Sequence, residues 1–336
     1  MIGARAYSNA TQKAPAPRPL VSRDLISVRD FSPEEIKWLF HLTALVKKKP
    51  ADFRDALAGK QLVLFFEKAS LRTRLTFEAG MASMGGAAFF VDQTQSRLYE
   101  REPLCDVAHN VERWVHAVVL RTFEHQTVVE MARHASIPVI NALSNVEHPC
   151  QAFADFFTLQ EKFGDLSKVR LAYMGDGNNV AHSLMLAAAS VGAKLTIATP
   201  AGYAPQDDIT QAAKKIAART GAEIEIMEDP AAAVAGVDAV YTDVWTSMGQ
   251  EAEEAERAQI FAPYQVNDAL MVQAAPHAVF MHCLPAHRGE EVTADVIDSA
   301  RSVVFDQAEN RMHVQKAILL LLLGGDTRRP PRSNHA

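Results

Sequence analysis

Between Ser70 and Arg74 the chain reads S-L-R-T-R, a run that combines two hydroxyl groups with two guanidinium groups. The apolar run before it (61–67) is typical of a strand, and L-T-F-E-A-G-M-A-S-M after it has apolar positions at helical spacing. Hydroxyl groups, arginines and free backbone N–H groups at a helix start can bind a small, highly charged anion, and the helix dipole strengthens the attraction. Because Ser-x-x-Thr before a helix is often only a cap, the interpretation depends on other segments that agree with it.

Two further loops carry side chains that could act on a carbonyl group. Arg121, in V-L-R-T-F, follows a predicted strand, where an arginine is either solvated at the sheet rim or directed at a ligand. His148 precedes a proline, which keeps its backbone extended, and Gln151 lies one turn into the next helix. An imidazole and an amide can donate hydrogen bonds to a carbonyl oxygen that gains negative charge. A single histidine is more often structural than catalytic, but H-P-C-Q at a domain junction favours the functional interpretation.

The turn G-D-G-N-N-V, which begins at Gly175, resembles the start of a dinucleotide-binding motif. Val180 stands where the third glycine is needed, and no acidic residue ends the next strand, T-I-A-T-P. The sequence therefore argues against a nicotinamide cofactor and a dehydrogenase. Asn178 and Asn179, at a helix start, could instead bind an amino-acid carboxylate or ammonium group through their side-chain amides.

Two late loops bring an aspartate and a cysteine to the ends of strands. In D-V-W-T-S-M-G-Q-E, Asp243 suits an ammonium group, and Gly249 allows the loop to close over a ligand. In H-C-L-P-A-H-R-G-E-E, Cys283 is adjacent to His282, but neighbouring strand residues point to opposite faces. A nucleophilic cysteine needs a nearby base, so packing or a contact to a ligand amine is the simpler interpretation of Cys283.

The composition excludes several classes of protein. A chain of 336 residues with 48% apolar and 22% charged residues is typical of a globular protein of two domains. The net charge of −6 argues against a general nucleic-acid binder, and the longest apolar run, 317–323, is too short to cross a bilayer. Three widely spaced cysteines give neither a disulfide framework nor a zinc pattern, which favours the cytoplasm. Residues 1–23 contain four basic residues and no acidic one, which predicts a disordered tail or, alternatively, an organellar targeting segment.

The elements between these loops alternate strands and helices, the pattern of an α/β protein with parallel sheets. The first series has strands at 61–67, 87–91, 116–120 and 137–140 and helices at 71–84, 103–114 and 126–135. A long helix is predicted over 149–163, and the second series has strands at 169–174, 194–199, 222–227, 238–242, 278–281 and 302–305. A last helix near 308–323 has no strand after it. We therefore predict two domains divided near residue 150, each a parallel sheet flanked by helices, with ligands beyond the carboxyl ends of the strands.

Taken together, these segments resemble the ornithine carbamoyltransferases of the aspartate/ornithine carbamoyltransferase family. The resemblance covers about residues 24–324 and rests on F-F-E-K-A-S-L-R-T-R, L-R-T-F, H-P-C-Q, G-D-G-N-N-V-A-H-S, D-V-W-T-S-M-G-Q-E, H-C-L-P-A-H-R-G-E-E and F-D-Q-A-E-N-R-M-H-V-Q-K-A. It implies transfer of the carbamoyl group from carbamoyl phosphate to the δ-amine of L-ornithine, giving L-citrulline and phosphate, with neither cofactor nor metal. It also implies a homotrimer, or a multiple of trimers, with active sites near subunit interfaces and without nucleic-acid or membrane partners.

The resemblance further implies which part of the chain binds each substrate. Residues 24–150 would bind carbamoyl phosphate, residues 151–307 would bind ornithine, and residues 308–324 would return to the first domain as a helix. Residues 1–23 and 325–336 would be tails, and no knot is expected.

The same resemblance implies roles for individual residues. Carbamoyl phosphate would be bound by Ser70, Leu71, Arg72, Thr73, Arg121, His148, Gln151, Cys283, Leu284 and Arg311. Ornithine would be bound by Asn179, Asp243, Ser247 and Met248. The catalytic residues would be Arg121, His148, Gln151, Asp243, Cys283 and Arg311. Among them Arg121, His148, Gln151 and Arg311 would polarise the carbamoyl oxygen, and Cys283 with Leu284 would line the δ-amine site.

Four positions depart from the family pattern. Leu71 replaces the usual threonine, which keeps the backbone contact but removes a hydroxyl group. Tyr99, Cys105 and His109 replace a glycine and two basic residues in a loop that in the family reaches the neighbouring subunit, so a non-catalytic scaffold is one alternative. Carbamoyltransferases of N-acetyl- or N-succinyl-ornithine usually carry a proline-containing insertion in the S-M-G loop, which this chain lacks. An aspartate carbamoyltransferase is disfavoured because Asp243 would repel a second side-chain carboxylate.

Overall fold

The computed structural model describes residue 20 and residues 22–95, 97–247, 249 and 251–324. The first sheet has four parallel strands in the order β2–β1–β3–β4. Its strands are β1 (Gln61–Phe66), β2 (Ala87–Asp92), β3 (Ala117–Arg121) and β4 (Val139–Leu143). The helices of this half are α1 (Pro33–Lys48), α2 (Leu71–Ser83), α3 (Leu104–Val111) and α4 (His125–His134). Strand β1 is almost wholly buried, as expected for a parallel strand covered on both faces.

The long helix α5 (Pro149–Phe163) leads from the first sheet to the second, which has five parallel strands in the order β7–β6–β5–β8–β9. The strands are β5 (Arg170–Met174), β6 (Lys194–Ala198), β7 (Glu223–Met227), β8 (Ala239–Thr242) and β9 (Val279–His282). The helices are α6 (Asn179–Val191), α7 (Asp207–Thr220), α8 (Pro230–Val234), α9 (Glu254–Phe261), α10 (Asp268–Met271) and α11 (Ala294–Ile297). The predicted architecture of two parallel sheets flanked by helices is confirmed.

The last helix, α12 (Val304–Leu322), packs against α1, α2 and α5, so this helix returns to the first half as predicted. One hydrophobic core extends from β1 through α5 to the second half, with Phe66, Phe153 and Leu184 among its buried members. Because α5 is buried over its first eleven residues, it is a shared core helix rather than a flexible linker. No helix among the described residues is both long and apolar enough to cross a membrane.

The strand predicted at 302–305 is wrong. Ser302 forms only an isolated bridge with Phe280, and α12 begins at Val304 rather than near residue 308. The apolar run S-V-V-F resembles a buried strand, but Phe305 is 74% exposed and already belongs to the helix. Asp306 lies in the first helical turn, where the helix dipole favours a negative charge.

The strand orders place two crevices at the carboxyl ends of the sheets. In the first sheet β1 lies between β2 and β3, so the connections from β1 and to β3 run on opposite sides of β1. In the second sheet β5 lies between β6 and β8 in the same way. Ligands of open α/β sheets bind where the strand order diverges in this manner. Phe66 at the end of β1 lies beside Arg121, and Met174 at the end of β5 lies beside Thr242. The loops that follow these strands therefore meet, as the sequence predicts.

Candidate active site

A cavity of about 700 Å³ opens between the carboxyl ends of the two sheets. Of the residues predicted for the site, those that line it are Ser70, Leu71, Arg72, Arg121, His148, Gln151, Asn179, Asp243, Ser247, Cys283, Leu284 and Arg311. Met248 lies outside the described residues. Lys68 and Phe123 also line the cavity without having been predicted. Ser70 and Arg311, 241 positions apart in sequence (311 − 70), thus line one cavity, which no single motif in the sequence could demonstrate.

Ser70 caps helix α2 at the edge of this cavity. Its Oγ accepts a hydrogen bond from the backbone N–H of Thr73 at 3.3 Å and donates one to Thr73 Oγ1 at 3.0 Å. Thr73 is fully buried behind the cavity wall, and its hydroxyl also accepts a hydrogen bond from Arg311 at 2.6 Å. The capping and the anion-binding interpretations of this motif are therefore compatible, and Thr73 connects α2 to α12.

Arg72, Arg121 and Arg311 together form what we call the cationic wall of the cavity. Burial, and then the charge of Arg311, lowers the pKa of Arg121 to about 9, and burial also lowers the pKa of Arg72 and of Arg311. None of the three takes part in the ion pairs found among the described residues. The Nε atoms of Arg72 and Arg311 are buried and, in the same part of the chain, have no hydrogen-bond partner. Crowded, desolvated cations without counter-charges form a receptor for an anion.

His148 adds a neutral ring to the cationic wall. Its backbone N–H donates to Ser183 Oγ at 2.7 Å, while its Nδ1 is buried without a partner among the described residues. Burial, followed by the charges of Arg311 and Arg121, holds the pKa of His148 well below its usual value, so the ring is neutral at pH 7. A neutral imidazole can donate one hydrogen bond to a carbonyl oxygen.

The amide of Gln151 is oriented by Asp155. Gln151 Nε2 donates to Asp155 Oδ1 at 2.7 Å, and Gln151 Oε1 is buried with no partner among the described residues. The unpaired atom of this amide is an acceptor, and an acceptor fits the N–H groups of a carbamoyl amide. Because Nε2 carries a second N–H, the sequence-based prediction that Gln151 donates to a carbonyl oxygen stays a prediction.

The second sheet supplies a carboxylate and a thiol. Asp243 Oδ1 accepts a hydrogen bond from the Cys283 thiol at 3.0 Å, and Asp243 Oδ2 accepts one from Asn178 Nδ2 at 2.9 Å. Burial, and then the charge of Asp243, holds the pKa of Cys283 well above its usual value, so the sulfur stays protonated. A protonated thiol is a poor nucleophile, which agrees with the interpretation of Cys283 as a packing or ligand-contact residue. Leu284 follows it with a positive φ of 57°, an uncommon conformation for a residue other than glycine.

The two asparagines after β5 have different surroundings. Asn178 caps α6, since its Oδ1 accepts from the backbone N–H groups of Val180 and Ala181. Asn179 lines the cavity and donates from Nδ2 to the carbonyl oxygen of Ser144 at 2.6 Å. Gly177 has no room for a Cβ because the backbone of residues 204–205 touches it, which gives the G-x-G pattern a packing reason and not a phosphate-binding one.

Arg257 holds the loop after β8, and no motif in the sequence indicated it. Its side chain is 3% exposed, donates to the carbonyl oxygen of Trp245 at 2.6 Å and forms a short ion pair with Asp176. Glu253 is a second ion-pair partner at 3.3 Å. The loop carrying Ser247 is therefore anchored to the turn that precedes α6. Its Gly249 lies so close to Phe123 that an added Cβ would be 3.5 Å from the ring.

Two groups of side chains bring potential metal ligands within 4.8 Å of one another. In the first group, formed with Asp243 and Cys283, both ring nitrogens of His282 are already bonded, Nδ1 to the backbone N–H of Leu284 and Nε2 to Glu291. The second group consists of His287, Glu290 and Glu291. That the reaction needs no metal and no cofactor remains a prediction from the resemblance.

Of the four residues that depart from the family pattern, Leu71 lines this cavity, whereas Tyr99, Cys105 and His109 are absent from its lining as far as the chain is described. Tyr99 is 39% exposed and accepts a hydrogen bond from Arg97 at 2.8 Å. His109 stacks edge-on against His134, and Cys105 is partly exposed on α3. Any effect of Tyr99, Cys105 and His109 is therefore to be sought outside the cavity of a single chain, and any effect of Leu71 within it.

The family model described as aspartate/ornithine carbamoyltransferase, carbamoyl-P binding domain, matches residues 23–161, and its Asp/Orn binding domain matches residues 167–322. A protein of Pyrococcus abyssi named ornithine carbamoyltransferase is 49% identical over 308 residues, 91% of this chain and 97% of that one. A Bacillus subtilis protein of the same name is 49% identical over 304 residues, 90% of this chain and 95% of its own. The solved structure of the Pyrococcus furiosus ornithine carbamoyltransferase is 47% identical, with a TM-score of 0.89 over 92% of this chain and 99% of that one. The chain belongs to the aspartate/ornithine carbamoyltransferase family.

Proposed function

We propose that the cavity transfers the carbamoyl group of carbamoyl phosphate to the δ-amine of L-ornithine, giving L-citrulline and phosphate. The observation that carries this proposal is the presence, in one cavity, of the cationic wall and of the buried carboxylate of Asp243. The cationic wall suits a phosphorylated substrate, and the carboxylate suits an amine. Among the relatives, one from Pyrococcus furiosus is named anabolic, and we propose the same direction, toward citrulline, for this chain.

Carbamoyl phosphate would bind to the first half of the chain, residues 24–150, together with Arg311. Its phosphate would lie at the N-terminus of α2, against Ser70, the backbone N–H of Leu71 and Arg72. Arg121, Arg311 and His148 would donate hydrogen bonds to the carbonyl oxygen. Gln151 Oε1 would accept a hydrogen bond from the carbamoyl N–H₂, because Nε2 is bonded to Asp155 and Oε1 has no partner among the described residues.

Ornithine would bind to residues 151–307. Asn179 and the loop with Ser247 and Met248 would hold its amino-acid end, and Asp243 with Cys283 would lie at the reacting amine. The δ-nitrogen attacks the carbonyl carbon, negative charge forms on the oxygen, and the bond to the phosphate oxygen then breaks with its electron pair. The proton lost by the amine passes to the departing phosphate, which leaves as HPO₄²⁻. Fixed guanidinium groups stabilise both the oxyanion and the leaving phosphate, which lowers the barrier electrostatically.

The test is a colorimetric citrulline assay with carbamoyl phosphate and L-ornithine, with N-acetyl-L-ornithine in a parallel reaction. We expect product from ornithine alone. Product from the acetylated substrate alone would overturn the assignment of the amine substrate. Lack of product from both would overturn the proposed reaction and favour the scaffold alternative. Restoring glycine at Tyr99 and basic residues at Cys105 and His109 would then show whether these departures are the cause.

We further propose that the chain forms a homotrimer in the cytoplasm. Leu71, Leu75 and Phe89 are 70%, 52% and 50% exposed, and they lie on α2 and on the adjacent edge strand β2. Exposed apolar groups on an open sheet edge are typical of an interface between chains. Light scattering should give three chain masses for the wild type and fewer for Phe89→Glu. Val272→Glu, at a 75% exposed position in the second half, is the matched control and should not change the mass.

A further inference from the structure

A series of hydrogen bonds, in which the donor and the acceptor of each bond are fixed, connects the second sheet to the cavity. The backbone N–H of His282, at the end of β9, donates to Gln307 Oε1 on α12 at 3.0 Å. Gln307 Nε2 donates to Asp155 Oδ1 on α5 at 2.6 Å, and Gln151 Nε2 donates to the same oxygen at 2.7 Å. A backbone N–H can only donate, so it fixes which end of the Gln307 amide faces Asp155.

Asp155 fixes the orientation of the Gln151 amide at the cavity. Its side chain is fully buried, and Oδ2 accepts a further hydrogen bond from Tyr241 at 3.2 Å. Burial raises the pKa of Asp155 to about 7, but a proton on this group would lie on Oδ2, since Oδ1 already accepts from both glutamines. Oδ1 is therefore an acceptor in either protonation state, so Gln151 must present Nε2 to it. If the Gln151 amide turned over, two buried acceptors would face each other and Nε2 would lose its partner, which is unfavourable in the interior.

We infer that Asp155 and Gln307 are positioning residues that keep Gln151 Oε1 available to the substrate and thereby make the site select a carbamoyl group. The N–H₂ of a carbamoyl group can donate to Oε1. An acyl group of the same shape with a methyl group in that place cannot, and it leaves the buried oxygen unpaired. The inference rests on the proposed function, because it supposes that the carbamoyl group binds beside Gln151.

Two stable phosphonates test this selectivity without turnover. Phosphonoacetamide (H₂N–CO–CH₂–PO₃²⁻) keeps the amide, and 2-oxopropylphosphonate (CH₃–CO–CH₂–PO₃²⁻) replaces it by a methyl ketone. Calorimetric titration gives the ratio of their dissociation constants for each variant. We expect the wild type to prefer the amide by about tenfold, the effect of one hydrogen bond to a buried acceptor.

Asp155→Leu removes the acceptor that orients Gln151, and we expect it to abolish most of this preference. Asp155→Asn should retain it within about threefold, because its Oδ1 can still accept from both glutamines while its Nδ2 donates to the oxygen of Tyr241. Tyr241→Phe is the matched control. Tyr241 bonds the other carboxylate oxygen and also accepts from Gln307 Nε2 at 3.2 Å, but its loss leaves the bonds of Asp155 Oδ1 to Gln307 and Gln151 in place, so the ratio should be unchanged. The affinity for inorganic phosphate should stay constant throughout, because the cationic wall is unaltered.

A folded Asp155→Leu variant with the wild-type ratio would overturn the inference. An equal loss in Tyr241→Phe would also overturn it, since a loosened core would then explain both. In a Gln151→Met background, Asp155→Leu should have no further effect on the ratio, and a further effect would show that Asp155 does not act through Gln151. If circular dichroism shows that Asp155→Leu does not fold, Asp155→Ser provides the same comparison. Failure of the proposed function is visible separately, as absence of citrulline from a wild type that still prefers the amide phosphonate.

Discussion

Removing the charge of Arg121 is expected to stabilise the ligand-free protein while abolishing its activity. Burial, and then the charge of Arg311, lowers the pKa of this guanidinium group from its ordinary value to about 9. At 1.36 kcal/mol per pKa unit, the difference corresponds to about 5 kcal/mol. Because the folded-state pKa of a cation is lowered, this destabilisation is fully present below pH 9 and is relieved only as the pH rises above 9 toward the ordinary pKa of the group.

The substitution Arg121→Met keeps most of the side-chain volume and removes the charge. It also removes the hydrogen bond from Arg121 Nε to the carbonyl oxygen of Lys68, 3.1 Å long, which costs about 1–2 kcal/mol. The net effect at pH 7.5 is then a gain of about 3 kcal/mol in the free energy of unfolding, the difference between these two magnitudes. Citrulline formation should fall by about 10²–10³-fold or more, since a donor to the developing oxyanion is lost.

Urea unfolding in phosphate-free buffer at pH 7.5 measures the stability. Arg170→Met is the matched control, because Arg170 lies half exposed at the start of β5 and pairs with Asp238 at 3.5 Å. A surface ion pair of this kind contributes about 0–1 kcal/mol, so the control should be unchanged or slightly less stable. Phosphate at 10 mM should stabilise Arg121→Met less than the wild type, since one cation of the wall is lost while Ser70 and Arg72 remain, and ligands stabilise the state that binds them. Destabilisation of Arg121→Met beyond that of the control would refute the view that the cationic wall opposes folding.

Three other outcomes are expected. At low ornithine concentration the rate should rise with pH from 6 to 9, because an amine with a pKa near ~10.4 is mostly protonated at neutrality, and a flat profile would show that amine attack does not limit the rate. Arg257→Met frees the loop after β8 from Asp176 and should weaken its closure, so we expect the KM for ornithine to rise about tenfold. The KM for carbamoyl phosphate should change less than about twofold. Equal changes in both constants would contradict a local role of Arg257. Burial raises the pKa of Glu147 to about 7, so its contribution to stability decreases as the pH rises from about 4.5 to 7. Glu147→Gln should therefore flatten the pH dependence of urea unfolding between pH 5 and 7.5, and an unaltered slope would count against this assignment.

The part of the site that the sequence predicts best is the part set by sheet geometry. In a parallel sheet every strand ends on the same side, so polar residues just after apolar runs must meet at one edge. This reasoning located Arg121, Asp243 and Cys283 without any knowledge of their partners. The strand at 302–305 was wrong for a related reason, since a short apolar run before good helix formers has the same local pattern as a buried strand.

What the sequence could not predict depends on which atoms of a side chain are already bonded. Gln151 is predicted at the site, but only the bond to Asp155 shows that an acceptor is left free. Asn178 and Asn179 look equivalent in the sequence, and both line the cavity, yet Asn178 caps a helix and bonds Asp243 while Asn179 donates to the carbonyl oxygen of Ser144. The burial of Arg257 cannot be predicted from the sequence, because a buried arginine and an exposed arginine on a polar helix have the same sequence pattern. Only the tertiary contacts, such as the ion pair with Asp176, distinguish them.

Two helical spacings explain how the site is tied to the core. Gln151 and Asp155 are four residues apart on α5, and Gln307 and Arg311 are four residues apart on α12, so each pair lies on one helix face. In each pair one side chain lines the cavity and the other lies behind it. The two rear side chains, Asp155 and Gln307, bond each other across the joint core. A shift of either helix would therefore move a cavity side chain on both, which makes the packing of α5 against α12 a condition for catalysis and not only for stability.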